Sequence, residues 1–78
     1  SLKNVRVTDK TQAQNDADVR AMVERAAKEL GTDGRILVRE SGTEPLVRVM
    51  VEAGNVETCE KYVDAVIDVI RSKGYVIE

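Results

Sequence analysis

Apolar and polar residues alternate from Asn4 to Val7, with Val5 and Val7 on one face, and this predicts a short first strand. Thr8 to Gln14 is polar and is expected to carry the chain across to a helix. Val19, Met22, Val23, Ala26 and Leu30 then recur at helical spacing, while Arg20, Glu24, Lys28 and Glu29 lie away from that stripe. Asn15 or Asp16 is suited to cap the helix, and Asp18 places negative charge in its first turn. Gly31 is expected to end it as a left-handed C′ residue, and Thr32-Asp33-Gly34 to turn into a second strand.

In that strand Ile36 and Val38 face one way, with Arg35, Leu37 and Arg39 on the other side. A third strand follows, with Val47, Val49, Val51 and Ala53 on one face and Leu46, Arg48, Met50 and Glu52 opposite. The valine face suits a core, and the mixed face suits solvent or a neighbouring domain. After Gly54, Asn55 is placed to cap a second helix whose apolar side is Val56, Cys59, Val63, Val66, Ile67 and Ile70, flanked by Tyr62 and Val69. Gly74 ends it, and Tyr75-Val76-Ile77 reads as a short terminal strand. The predicted order is strand, helix, strand, strand, helix, strand. Two helices covering one face of an antiparallel sheet give an α+β two-layer sandwich. The pattern alone does not separate a ferredoxin-like order from related layouts.

Composition narrows the function. The 78 residues are expected to form a single domain, excised from a longer chain. A net charge of −2 argues against a general nucleic-acid or anionic-membrane surface, and no apolar run approaches the length of a membrane span. Histidine is absent, which removes the commonest general base and metal ligand; no metal site is expected here. Cys59 is the single cysteine, read as a small core residue in a reducing, cytoplasmic compartment.

The chemistry concentrates between the second and third strands, in Arg39-Glu40-Ser41-Gly42-Thr43-Glu44-Pro45. Ser41 and Thr43 bring hydroxyls, and Gly42 is expected to take φ > 0 so that successive N–H groups point inward. Arg39 brings a planar fork of donors, and Pro45 starts the return strand. Such a tip suits an oxyanion, phosphate above all, although composition equally allows a plain exposed hairpin.

This loop, followed by Leu46-Val47-Arg48-Val49-Met50-Val51-Glu52, resembles the last domain of the α-D-phosphohexomutases from about Val5 onward. The resemblance implies a TATA-binding-protein-like arrangement and a loop that grips the phosphate of a phosphosugar substrate. It implies phosphate contacts from the Arg39 side chain, the Ser41 and Thr43 hydroxyls and the Gly42 N–H. It also implies that the phosphoserine, the Mg²⁺ loop and the sugar-recognition loop belong to other domains of the same enzyme, so that this segment alone is catalytically silent.

Arg48 is read first as an exposed cross-strand partner for Arg35 or a glutamate, and secondly as a support for the anion field. Glu44 is expected to orient Arg39 or a loop N–H, and Glu40 to be solvated. Ser41 has no base nearby to activate it as a nucleophile. A regulatory small-molecule domain of ferredoxin-like type is the main rival. A single-strand RNA module ranks below it, because Arg35 to Ala53 offers no aromatic residue for base stacking.

Overall fold

The computed structural model describes residues 1–77 of the chain. Strands β1 (Leu2–Arg6), β2 (Arg35–Glu40) and β3 (Leu46–Glu52) form one antiparallel sheet in the order β1-β3-β2. Helices α1 (Lys10–Asn15), α2 (Ala17–Leu30) and α3 (Val56–Ser72) pack against it. Alternation does what the pattern requires. Val47, Val49 and Val51 are fully buried under the helices, whereas Arg48 is exposed on the opposite face. The result is the expected α+β two-layer sandwich.

The core joins those valines to Val5, Val7 and Ile36 from the strand side, Val19, Ala26 and Leu30 from α2, and Cys59, Tyr62, Val63, Val66, Ile67 and Ile70 from α3. Asp16 caps α2 by accepting from the Asp18 and Val19 N–H groups, and Asn55 caps α3 by accepting from Thr58 N–H. Gly31 does end α2 at positive φ (59°), and a 3₁₀ turn over Gly31–Asp33 leads into β2. Gly34 is extended and lies against β3. A Cβ there would meet the Glu52 carbonyl oxygen, so only glycine lets the two strand ends come together.

Three expectations change. The polar stretch Thr8–Gln14 holds a helix, α1, where a linker was expected. Its side chains show no apolar stripe, but Asp9 caps it by accepting from Gln12 N–H, and Ala13 is fully buried. The Asp9-Lys10-Thr11-Gln12 spacing is a capping-box pattern, and that was the available signal. Val56, expected on the buried side of α3, is the first residue of that helix and is 65% exposed. The terminal strand shrinks to one bridge, Val7 with Val76, beside the free edge of β1.

Backbone and side-chain hydrogen bonds together hold that terminal segment. Thr8 N–H donates to the Tyr75 carbonyl, Ile77 N–H donates to the Arg6 carbonyl, and Tyr75 OH donates to Asp16 Oδ2 at 2.6 Å. The Tyr75 hydroxyl, helped by the α2 N–H groups and Lys73, holds the Asp16 carboxyl below its ordinary pKa despite opposing desolvation. A lowered folded-state pKa means stability that is present above the ordinary carboxylate range near 4 and is lost as pH falls through the folded value. Denaturant unfolding across the acid range should therefore show Tyr75→Phe less stable than the parent at neutral pH. The gap should narrow as Asp16 protonates, and a gap that stays constant would remove this hydrogen bond from the acid response.

Candidate functional site

The β2–β3 hairpin carries the loop, and register decides what meets at its root. Arg39 pairs directly with Arg48, and Asn4 of β1 lies on the other side of Arg48. Both guanidiniums are exposed on the helix-free face, and neither forms an ion pair with any described residue. Like charges directly opposite each other on a sheet are destabilising. Arg48 is exposed as expected but pairs with neither Arg35 nor a glutamate among the described residues; Arg35 instead pairs with Glu52 at 3.0 Å. The next row along this face is apolar: Leu2, Met50 and Leu37.

Within the loop, Ser41 N–H donates to the Leu46 carbonyl and continues the hairpin ladder. The Ser41 side chain is buried, and its Oγ accepts from the Thr43 N–H at 3.3 Å and the Glu44 N–H at 3.2 Å. The expectation of several inward-pointing amides is thus corrected. Ser41, Thr43 and Glu44 use their N–H groups inside the hairpin, and among the described residues only the Gly42 N–H of this loop is uncommitted. Gly42 does not take positive φ either, because the Ser41 turn closes the loop without it. A Cβ at Gly42 would meet nothing within 4 Å, so neither the backbone nor the packing of the free chain calls for glycine there.

The Ser41 hydroxyl keeps its proton available, because the two bonds it forms are accepted ones. The Thr43 hydroxyl is exposed and makes no bond to a described residue. Glu44 contributes no ion pair to Arg39, contrary to expectation, and its carboxylate stays outside the hydrogen-bond pattern of the described residues. Glu40 is half-buried where a solvated residue was expected, and its carboxylate accepts from Thr11 Oγ1 at 2.6 Å. The face of α1 thus braces the end of β2: Gln14 Oε1 accepts from Glu40 N–H, and Lys10 Nζ donates to the Ser41 carbonyl.

A cleft of about 420 Å³ gathers these pieces. Arg39, Ser41, Gly42, Thr43 and Arg48 all line it, with Leu2, Leu37 and Met50 as its apolar wall and Glu40 at the edge. All four phosphate-contact candidates and Arg48 therefore share one concavity, and Glu44 stands outside it. Lys10, Thr11 and Gln14 are the supporting residues that periodicity could not find. Among the described residues, no group of three or more His, Cys, Asp or Glu side chains that could hold a metal ion comes together. No helix among the described residues is long and apolar enough to cross a membrane.

A family model described as phosphoglucomutase/phosphomannomutase, C-terminal domain, matches residues 2–69. The chain is 79% identical over 76 residues to a phosphoglucosamine mutase of Lachnospira eligens, covering 97% of this chain and 17% of that protein. It is 55% identical over 75 residues to the phosphoglucosamine mutase of Lachnoclostridium phytofermentans and 53% identical over 72 residues to that of Bacillus subtilis, covering 96% and 92% of this chain and 17% and 16% of those proteins. The chain thus spans about a sixth of the length of these relatives. With its sandwich fold, its arginine-flanked hairpin loop and a family match over most of its residues, the chain belongs to the phosphoglucomutase/phosphomannomutase C-terminal domain family.

Proposed function

We propose that the Arg39–Pro45 loop binds the phosphate of a phosphosugar, as the substrate-phosphate-binding domain of a phosphoglucosamine mutase. One observation carries the reading: among the described residues, Arg39 and Arg48 face each other without an acidic partner, in one cleft with an uncommitted Gly42 N–H. An oxyanion between them converts a repulsive pair into charge-assisted hydrogen bonds, each worth roughly 1.5–3 kcal/mol. The Thr43 hydroxyl, and the Ser41 hydroxyl proton, complete the donor set.

The enzyme in this reading interconverts glucosamine 6-phosphate and glucosamine 1-phosphate in the cytoplasm, through a phosphoserine and a bisphosphorylated sugar held by other domains. Mg²⁺ belongs to those domains as well. This domain holds the phosphate that is not reacting, so its binding energy orients the distant reaction centre. The 17% share of the L. eligens mutase that the chain covers fits a single domain of such an enzyme.

Titration of the ¹⁵N-labelled chain with glucosamine 6-phosphate tests the reading. Shifts should concentrate on Arg39 to Thr43 and on Arg48, and shifts confined to other surfaces would refute it. Gly42→Ala should fold normally, since its Cβ meets nothing in the free chain, yet weaken that binding about tenfold by standing where a phosphate oxygen must approach the backbone. Equal affinity for Gly42→Ala would separate Gly42 from the binding surface.

A further inference from the structure

We infer that Lys10 is a positioning residue for this loop: by holding the Ser41 carbonyl it fixes the direction in which the Gly42 N–H is presented to an oxyanion. Lys10 Nζ donates to the Ser41 carbonyl oxygen at 2.6 Å in a part-buried setting. That carbonyl and the Gly42 N–H are the two polar ends of one peptide unit. The unit is planar, and no described peptide bond is cis, so its C=O and N–H point in opposite directions. Anchoring the oxygen on the α1 side therefore aims the hydrogen away from α1.

The clamped plane is the one that carries the loop's uncommitted donor. The Ser41, Thr43 and Glu44 N–H groups are fixed by the Leu46 carbonyl and the Ser41 Oγ, whereas nothing else holds the Gly42 N–H. Gly42 has no Cβ and open space around it, so its plane could otherwise rotate at little steric cost. A cation on the carbonyl also polarises the amide and strengthens its N–H as a donor. Gln14 and Thr11, on the same helix, hold Glu40 one residue earlier, so α1 sets both the position of the strand end and the tilt of the plane that follows.

This rests on the phosphate reading above, and the test keeps the two apart. Lys10→Met keeps the methylene stem and removes the donor; Lys10→Arg restores a donor; Lys10→Gln stands in should methionine disturb α1. In the ligand-free ¹⁵N,¹³C-labelled chain, Lys10→Met should move the Ser41 carbonyl and Gly42 amide resonances and leave the core valine methyls in place. On titration with inorganic phosphate it should weaken binding about fivefold to tenfold and abolish the Gly42 amide response. Arg39 and Arg48 should still respond, and Lys10→Arg should recover most of the loss. Unchanged ligand-free Gly42 resonances in Lys10→Met overturn the inference, and so does a full Gly42 response to phosphate in that variant. A parent chain whose loop ignores phosphate overturns the binding reading instead, while the ligand-free comparison still decides whether Lys10 orients the peptide.

Discussion

In a full-length mutase carrying this domain, Arg39→Ala is expected to lower kcat/KM by at least about tenfold while the domain stays folded. Losing one charge-assisted bond of roughly 1.5–3 kcal/mol corresponds to about one to two powers of ten. Arg39 is exposed and makes no ion pair with a described residue, so its removal costs the free fold no partner. It also relieves the repulsion with Arg48 across the strand pair, so the unliganded variant should be at least as stable as the parent. Thermal denaturation with and without phosphosugar reads both effects together: equal or higher stability without ligand, and a lost increment with it. Arg35→Ala is the control. Arg35 lies on the same strand and face but pairs with Glu52, away from the loop, and should leave kcat/KM unchanged. An unaltered rate for Arg39→Ala removes that side chain from substrate binding.

The largest effect on stability is expected at Ile70, the bulkiest of the fully buried side chains. It lies on the inner side of α3 and belongs to the same cluster as Val5, Val7, Val63 and Val66. Truncation to alanine removes buried methyl groups and leaves a cavity that the sheet and helices close only in part, a loss of about 2–5 kcal/mol. Small domains have total stabilities of about 5–15 kcal/mol, so Ile70→Ala should consume a large share of what this one has. Urea unfolding should show a midpoint shifted sharply down with an unchanged slope. Val69→Ala, on a half-buried neighbour, should cost distinctly less. Similar losses at the two positions would mean that the core is not organised around the inner face of α3.

The valine alternation of β3 and the stripes of α2 and α3 were legible because a period of two or 3.6 is the imprint of a buried face. The residues of the cleft were legible for a different reason: hydroxyls, glycine and a guanidinium crowd into one short segment between two strands. What the pattern could not supply was register. Alternation placed Arg39 and Arg48 on one side of the sheet, but only the hairpin closure at Ser41 and Leu46 sets them face to face. Helix α1 was hidden because it is held by a cap and by polar bonds to Glu40 and Ser41, which leave no apolar rhythm. Gly42 misled for a related reason. Glycine suggests an unusual backbone angle, yet the Ser41 side chain makes the turn by itself.

The order β1-β3-β2 also bears on how quickly the chain reaches its fold. β2 and β3 are sequence neighbours and can zip together locally, whereas β1 must find β3 from the far end of the chain. The hairpin is the pairing with the shorter loop to close, and its closure at Ser41 and Leu46 lies within the segment proposed above to bind phosphate. Ser41 therefore serves two masters, since the oxygen that gathers the Thr43 and Glu44 amides also completes the early turn. A substitution at Ser41 should therefore disturb hairpin closure as well as the shape of the cleft.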